Sequence, residues 1–589
     1  MDSADVVLAA LDPEQREVAL AARGPVCVLA GAGTGKTRAV AHRIAYAVAT
    51  GVVDPARVLA VAFTTRAAGE LRGRLRQLGD RALPAGGMER VQARTFHAAA
   101  LRQLTHFWPL TVGGPPPRVL DSKVALLTEA ARRLRLQLSP PELRDVAGEI
   151  EWAKVTGVGA QEYPEASAKV GRAPPVAPVT LTRLYAAYEE LRRERHLVDF
   201  ESVLELTAAI LAEHPAAAAA VRDRYAYFVV DEYQDVNPLQ KLLLDAWMGD
   251  RDDVCVVGDP LQTIYSFTGA CPAYLTGFAA EFPDATVIKL MRNYRSTPQV
   301  VALANRLGGG NGRPGGAVLV AQRPGGAEAE FAEYGDELAE AAAVARRAAS
   351  LIRSGTAPRE IAVLVRTNAQ TPAFERALGE AGVPFAVKGA ERFFDRAEVR
   401  QAVGLLRAAA RSASADEEPA GQVRAVLSGI GLDQQPPQGR GRARERWESL
   451  EALAQLADDF FATSPGASLA GLCAELAARS AIGHAPAMDG VTLASLHAAK
   501  GLEWDVVFLA GLSDGMLPIV YAQTDEAIEE ERRLLYVGIT RGRDLVCLSW
   551  ALARSADGRG GRKPSRFVEE IRPRSRRGKG WGRTMMSSA

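Results

Sequence analysis

The sequence predicts an α/β protein made of two parallel-sheet units, each interrupted by a mainly helical segment. Three observations carry this expectation. Short apolar, β-branched runs alternate with longer Ala/Leu/Arg stretches of helical period, the pattern of strands buried on both faces. A glycine-rich loop of the phosphate-binding kind follows the first of those runs, at residues 30–37. A Gly-rich stretch, 308–326, divides the runs into two series.

Taken in order, the first series predicts strands at 26–29, 58–63, 228–230 and 254–257. The second predicts strands at 318–320, 361–365, 506–509 and 545–548. Between about 98 and 196 strand signals vanish, and 101–104, 124–136 and 181–191 read as amphipathic helices. Between about 403 and 489 the helical period returns, apart from a polar turn at 429–442. The expected organisation is therefore 1–97 plus 197–297 as the first α/β domain with 98–196 inserted in it. The second domain is expected at 298–402 plus 490–570, with a shorter insertion at 403–489. The acid-free basic tail 571–589 is expected to be disordered.

Composition narrows the function classes. The 589 residues are 48% apolar and 24% charged, as in soluble globular chains. No apolar run approaches the ~20 residues of a bilayer span, and the N-terminus is acidic where a signal peptide is basic. Five cysteines, at 27, 255, 271, 473 and 547, form no Cys-x-x-Cys pair, which excludes a disulfide framework or a paired-thiolate zinc site and suits a reducing cytoplasm. The net charge of +1 announces no bulk polyanion binder, so a nucleic-acid site would have to be a local groove. Only ten lysines stand against 61 arginines, so a retained lysine, such as Lys36 or Lys500, hints that a compact ammonium is wanted there.

The loop Ala30-Gly31-Ala32-Gly33-Thr34-Gly35-Lys36-Thr37 lies between a strand and a helix. Its backbone N–H groups and the helix N-terminus are suited to phosphate oxygens, Lys36 to the β and γ phosphates, and the Thr37 hydroxyl to Mg²⁺. The run 228–230 leads into Asp231-Glu232-Tyr233-Gln234-Asp235. Asp231 at a strand end can hold the magnesium shell, and Glu232 can orient or deprotonate a water. Together these residues point to phosphoryl transfer from ATP to water.

Further segments follow in a recognisable order: Leu11 to Gln15, Arg38 after the loop, Phe63-Thr64-Thr65-Arg66-Ala67-Ala68, and Thr95-Phe96-His97. Then come Val257-Gly258-Asp259, Gln262 to Tyr265, Asn293-Tyr294-Arg295-Ser296-Thr297, Leu496 to Glu503, and Glu531 to Arg541. With these motifs the chain resembles the UvrD/Rep/PcrA-type helicases of superfamily I over nearly its whole length, most closely their shorter, actinobacterial-looking branch. The resemblance implies two RecA-like motor domains with ATP in the cleft between them. It implies that Gln15 reads adenine, Tyr294 stacks on the base, Gln262 senses the γ-phosphate and Glu503 binds the ribose. Ala30, Gly31, Ala32, Gly33, Thr34, Gly35, Lys36, Thr37 and Arg38 complete the nucleotide set. Arg295 and Arg541 act as arginine fingers, with Thr37, Asp231 and Glu232 at the magnesium.

For DNA, the resemblance implies contacts by Phe63, Thr64, Thr95, His97, Phe200, Tyr265, Phe267, Arg392, His497 and Lys500. The ring residues among these stand where the family stacks single-stranded bases or lines the channel. The substrates implied are single-stranded DNA and single-/double-stranded junctions, handled 3′→5′ by a cytoplasmic monomer in repair or replication-fork maintenance. Three departures stand out. Phe267-Thr268 replaces the family's usual Trp-Arg, the second insertion is about half the usual length, and Phe567 and Ile571 run straight into the basic tail where many relatives in this branch carry a four-cysteine segment and a helical domain. They bear on strand separation and leave a second reading, a translocase that displaces proteins or needs a partner to unwind. A reading of another class, a non-catalytic DNA-binding scaffold, is opposed by the intact Lys36, Asp231, Glu232 and Arg541.

Overall fold

The computed structural model describes residues 3–82, 87–172, 174–309, 318–388, 394, 397–412, 418–433, 442–463, 466–482, 490–554 and 561–573. They fall into two compact units, one drawn from 1–294 with 312–320 and the other from 295–311 with 321–589.

In the first unit β1 (Val26–Ala30), β2 (Val58–Ala62), β3 (Gln92–Thr95), β4 (Tyr227–Val230), β5 (Val254–Gly258) and β6 (Thr286–Leu290) form one sheet in the order β3-β2-β4-β5-β1-β6. Every neighbouring pair is parallel; Val28 lies opposite Val257 on one side and Ile288 on the other. Strands such as VLAVA and VCVVG are buried at every position because helices cover both faces. One face packs around Phe96, Leu204, Leu243 and Trp247, the other around Val40, Ile44, Leu71 and Leu75. Because all strands run the same way, their C-terminal ends share one edge. That edge carries the phosphate loop after β1, Phe63 after β2, Phe96 after β3, Asp231 after β4 and Asp259 after β5.

The helices Lys123–Arg133, Pro140–Val155, Tyr163–Lys169 and Pro178–Glu194 enclose a core of their own around Leu127, Ile150, Tyr163 and Tyr188. Pro140–Val155 starts with a capping box between Ser139 and Glu142, a local signal for helix initiation.

The second unit repeats the theme. β7 (Glu330–Tyr334), β8 (Ile361–Val365), β9 (Phe385–Lys388), β10 (Val491–Ser495), β11 (Trp504–Leu509) and β12 (Gly542–Ala551) are ordered β7-β12-β11-β8-β10-β9, all parallel. The helices Ala397–Ser412, Pro419–Ser428, Arg442–Thr463 and Leu469–Ile482 again have a separate apolar core, around Leu406, Leu427, Leu453 and Leu472.

The structure corrects one expected strand. Only Val320 of 318–320 enters a strand, the two-residue Val320–Ala321, and 318–320 group with the first unit. Val318 and Val320 are more than half exposed, so their β-branched character reports no two-sided burial. Ile571, placed at the start of the tail, is instead the buried last residue of the helix Arg566–Ile571. The basic stretch from 574 lies outside the described residues.

One buried carboxyl makes the second unit sensitive to pH. Glu340, 1% exposed, accepts hydrogen bonds from Ser549 Oγ at 2.5 Å and the Gly511 amide at 2.8 Å. Burial pushes it up to about 7. The folded chain therefore holds a proton that the unfolded chain releases near pH 4.5, so this group's contribution to stability falls as pH rises from about 5 to 7. Glu340→Gln is expected to raise the melting temperature at pH 8 and to change it little at pH 5, as scanning calorimetry at the two pH values would show.

Candidate nucleotide and nucleic-acid site

The phosphate loop turns sharply where β1 ends. Gly35, at φ +81°, precedes the helix Lys36–Ala49, and a Cβ there would lie 2.7 Å from Gln15 Nε2. Gln15 is buried and donates to the Thr34 carbonyl at 3.0 Å, while Thr34 Oγ1 donates to the Gly31 carbonyl at 2.9 Å. The amide of Asn293 donates to the Ala32 carbonyl at 2.7 Å, and the Tyr294 N–H to the Gly33 carbonyl at 2.9 Å. Tyr294, 42% exposed, is tethered through its hydroxyl to Asp12 at 2.6 Å, which leaves a ring face open. Arg38 donates to the Ala10 carbonyl, closing the N-terminal segment onto the loop's helix.

Lys36 Nζ is buried and has no hydrogen-bond acceptor among the described residues; it pairs with Glu232 Oε1 at 3.5 Å. Asp231 is buried beside it at the end of β4. Burial, then the Glu232 carboxylate, push Asp231 up to about 7 against the pull of Lys36. Glu232 occupies the left-handed region at φ +52°, unusual for a residue with a side chain and a mark of a site held in shape by its surroundings. A buried ammonium lacking an acceptor and a carboxyl held partly protonated fit a bound phosphate and a divalent cation. No cluster of three or more His, Cys, Asp or Glu side chains among the described residues would hold a metal alone. Mg²⁺ binds through one or two protein ligands plus phosphates and waters, and Asp231 with Glu232 beside it offers carboxylates of that kind.

Two residues outside the sequence-based assignments organise this corner. Gln234 donates to a carboxylate oxygen of Glu232 and accepts from the Asp259 amide at 3.0 Å. Asp259 accepts from Gln262 Nε2 at 2.7 Å and from the Leu261 amide at 3.0 Å, fixing the Gln262 side chain. The carboxamide–carboxylate chain thus runs from the strand-end acid to Gln262. Both stand in segments that carry the resemblance, 231–235 and 257–259, but neither is given a role of its own by it.

In the second unit, Arg295 Nε lies 2.6 Å from Glu503 Oε2 and Arg295 also donates to the Thr540 carbonyl at 3.1 Å. Arg543 pairs with Glu503 at 3.0 Å, with Glu360 at 2.9 Å and with Asp505 at 3.0 Å. Burial alone would raise the Glu503 carboxyl, but Arg295 and Arg543 outweigh it and hold it below the usual range. Arg541, 2% exposed, donates to the carbonyls of Val537 at 3.0 Å and Leu502 at 3.2 Å and to Thr540 Oγ1 at 3.2 Å.

On the same strand-end edge lies a line of rings, exposed at Phe63 and Phe267 and half-buried at Tyr265. Phe63 stacks on Tyr265 with centroids 5.9 Å apart, and Tyr265 meets Phe267 at 6.2 Å. Phe63 and Phe200, which flank apolar runs in the sequence, are 37% and 53% exposed, and Phe267 is 52% exposed, so none serves as core. His97 packs edge-on against Phe200 at 5.7 Å. Burial, then Lys123, bring His97 down to about 4; burial, then Arg366 and Lys500, do the same for His497. Both rings are neutral at pH 7. Lys500, half-buried, donates its backbone amide to the His497 carbonyl. The hydroxyls of Thr64 and Thr95 accept from the amides of Ala67 and Ala98, so each shapes the helix start behind a ring residue. Arg392 lies outside the described residues.

Phe200 has a buried foundation. Asp199 caps its helix by accepting from the Ser202 amide at 2.9 Å and also accepts from Lys154 at 2.8 Å and Tyr188 at 2.7 Å. Lys154 and Asp199 side chains are 4% and 2% exposed. Such a pair survives burial only because its remaining sites are hydrogen-bonded, here by Ser202 and Glu189.

The two parallel sheets, the loop at Lys36 and the acids at the end of β4 define a P-loop nucleotide-binding α/β protein. Residues 11–283 match the UvrD/REP helicase N-terminal domain, and residues 288–417 and 422–553 the UvrD-like helicase C-terminal domain. The chain belongs to the UvrD/REP helicase family. It is 53% identical to the ATP-dependent DNA helicase UvrD2 of Mycobacterium tuberculosis, over 98% of this chain and 83% of that one. It is 30% identical to DNA helicase II of Escherichia coli over 96% and 88%, and 28% identical to the ATP-dependent DNA helicase PcrA of Bacillus subtilis over 96% and 86%.

Proposed function

We propose that the chain is an ATP-dependent DNA helicase of the UvrD/PcrA type that moves 3′→5′ on single-stranded DNA and separates the duplex it meets, in repair or at replication forks. The observation that carries this reading is the line Phe63–Tyr265–Phe267 on the same strand-end edge as the phosphate loop, with Phe63 and Phe267 exposed on either side of the half-buried Tyr265. Stacking on aromatic faces is worth roughly 1–3 kcal/mol per base and ignores sequence, which suits a motor that must step along any strand.

On this reading, the loop amides and Lys36 bind the triphosphate, Gln15 and Tyr294 hold the base, and Glu503 the ribose. Thr37 and Asp231 would hold Mg²⁺, with Glu232 close by; the ion supplies charge neutralisation between the phosphates. Glu232 orients water and takes up its proton at a carboxylate oxygen, and Gln262, fixed by Asp259, reports the γ-phosphate to the aromatic loop three residues on. Arg295 and Arg541 stabilise the charge of the transition state. The segments 1–97 with 197–297 and 298–402 with 490–570 act as RecA-like motor domains, carrying helical insertions at 98–196 and 403–489. His97, His497, Lys500, Thr64 and Thr95 contact or shape the DNA path. The chain works as a monomer in the bacterial cytoplasm.

A second reading, a translocase that strips proteins or needs a partner to unwind, is favoured by one feature. Phe267-Thr268 offers a smaller ring and no guanidinium at the stacking loop. ATPase, translocation and unwinding measured side by side on 3′- and 5′-tailed duplexes test both. Turnover stimulated by single strands, weakening with salt as counterions are released, and unwinding of the 3′-tailed duplex alone is the expected result. Stimulated turnover without unwinding selects the second reading; turnover independent of DNA and salt rejects both.

A further inference from the structure

The aromatic loop is held from the side by a residue to which no role has so far been given. The Arg172 guanidinium donates through Nε to Glu149 Oε2 at 2.8 Å, through one terminal nitrogen to Glu149 Oε1 at 2.9 Å, and through the other to the Phe267 carbonyl at 2.9 Å. Its plane lies over the Trp152 ring at 4.5 Å, and the Tyr163 hydroxyl donates to Glu149 at 2.6 Å. The Arg172 and Glu149 side chains are 18% and 12% exposed. Gly269, at φ +96°, brings the same loop so close to the helix Pro140–Val155 that a Cβ would lie 2.7 Å from Val155 Cγ2.

We infer that Arg172 is a positioning residue that fixes the Phe267 ring for stacking on single-stranded DNA, supplying from the helical segment a guanidinium that the loop itself lacks at Thr268. The fork geometry matters. One edge of the guanidinium is spent on the carboxylate and the remaining nitrogen on the carbonyl, with the flat face on an indole; an ammonium cannot meet all three demands at once. Three of its five N–H groups, one on each nitrogen, are used within the protein, so its action runs through Phe267, and the salt dependence of binding separates this from a contact of the other two with DNA phosphate. This inference rests on the reading of Phe267 as a DNA-stacking residue.

A double-mutant cycle tests it in the full chain, reading the dissociation constant for an oligo-dT single strand and its salt dependence. Phe267→Ala alone is expected to weaken binding by about tenfold or more. Arg172→Ala is expected to weaken it by a few-fold to about tenfold, Arg172→Lys by nearly as much, and each to add nothing in the Phe267→Ala background. The slope of log Kd against log salt is expected to stay unchanged. Three outcomes overturn the inference: no loss on Arg172→Ala or Arg172→Lys, an equal loss in both backgrounds, or a slope reduced by about 0.7, which marks a direct phosphate contact. If Arg172→Ala does not fold, Arg172→Lys and Glu149→Gln carry the cycle under the same criteria. Full binding by Phe267→Ala would instead reject the stacking role of Phe267 itself, a distinct result.

Discussion

Lys36→Ala is expected to lower single-stranded-DNA-stimulated ATP turnover by a factor on the order of 10²–10³, the scale of removing one preorganised group from a developing charge. The effect is large because the ammonium is buried, has no hydrogen-bond acceptor among the described residues and pairs with the Glu232 carboxylate at 3.5 Å. On the proposed function its charge is compensated in part at rest and completed by phosphate. The variant loses no core contact, so its melting temperature is expected to stay within a few degrees of the parent. Steady-state turnover with saturating oligo-dT, paired with a thermal melt, measures both. Turnover within threefold of the parent, in a folded variant, would remove phosphate binding from this lysine and with it the nucleotide site as drawn.

Arg541→Ala carries the second large effect. An arginine finger contributes typically 10³–10⁵ in rate, and a loss of kcat on that scale is expected while the affinity for a non-hydrolysable ATP analogue changes only a few-fold. Arg541 is nearly fully buried and holds the carbonyls of Val537 and Leu502, so part of any loss could come from the helix end it ties down. Arg541→Lys separates the two causes. It keeps a cation but not the fork, and is expected to lose kcat by at least 10²-fold with its melting curve preserved. A kcat within tenfold of the parent in a folded lysine variant would show that the guanidinium does not meet the reacting phosphate.

How far the sequence could be read follows from what each strand faces. Strands of VCVLA, VLAVA and IAVLV type stood out because both faces are buried. Gln92–Thr95 and Thr286–Leu290 did not, since each ends its sheet and shows solvent on one side, which admits Gln92, Arg94, Thr286 and Lys289. Glu330–Tyr334 and Phe385–Lys388 escaped for the same reason. Val491–Ser495 is an inner strand whose Thr492 and Ser495 broke the apolar run.

The site shows the same division. The phosphate loop and Asp231-Glu232 were legible because their chemistry is written in consecutive residues. The rings at 63, 200 and 267 were ambiguous between core and ligand surface until their exposure was known. The supports under them were not legible at all. Lys154 with Asp199, Arg172 with the Phe267 carbonyl, and Gln234 with Asp259 join residues 25 to 95 positions apart, and no local pattern announces such pairs.

The four-helix cores around Leu127 and around Leu453 each close on their own side chains instead of borrowing from a sheet. Either bundle can therefore be repacked largely as a unit. A repacked helix there alters mainly its own core, except where Lys154 and Arg172 reach out to Asp199 and to the Phe267 carbonyl. Those two tethers are the points through which a change inside the first bundle would be felt at the ring residues.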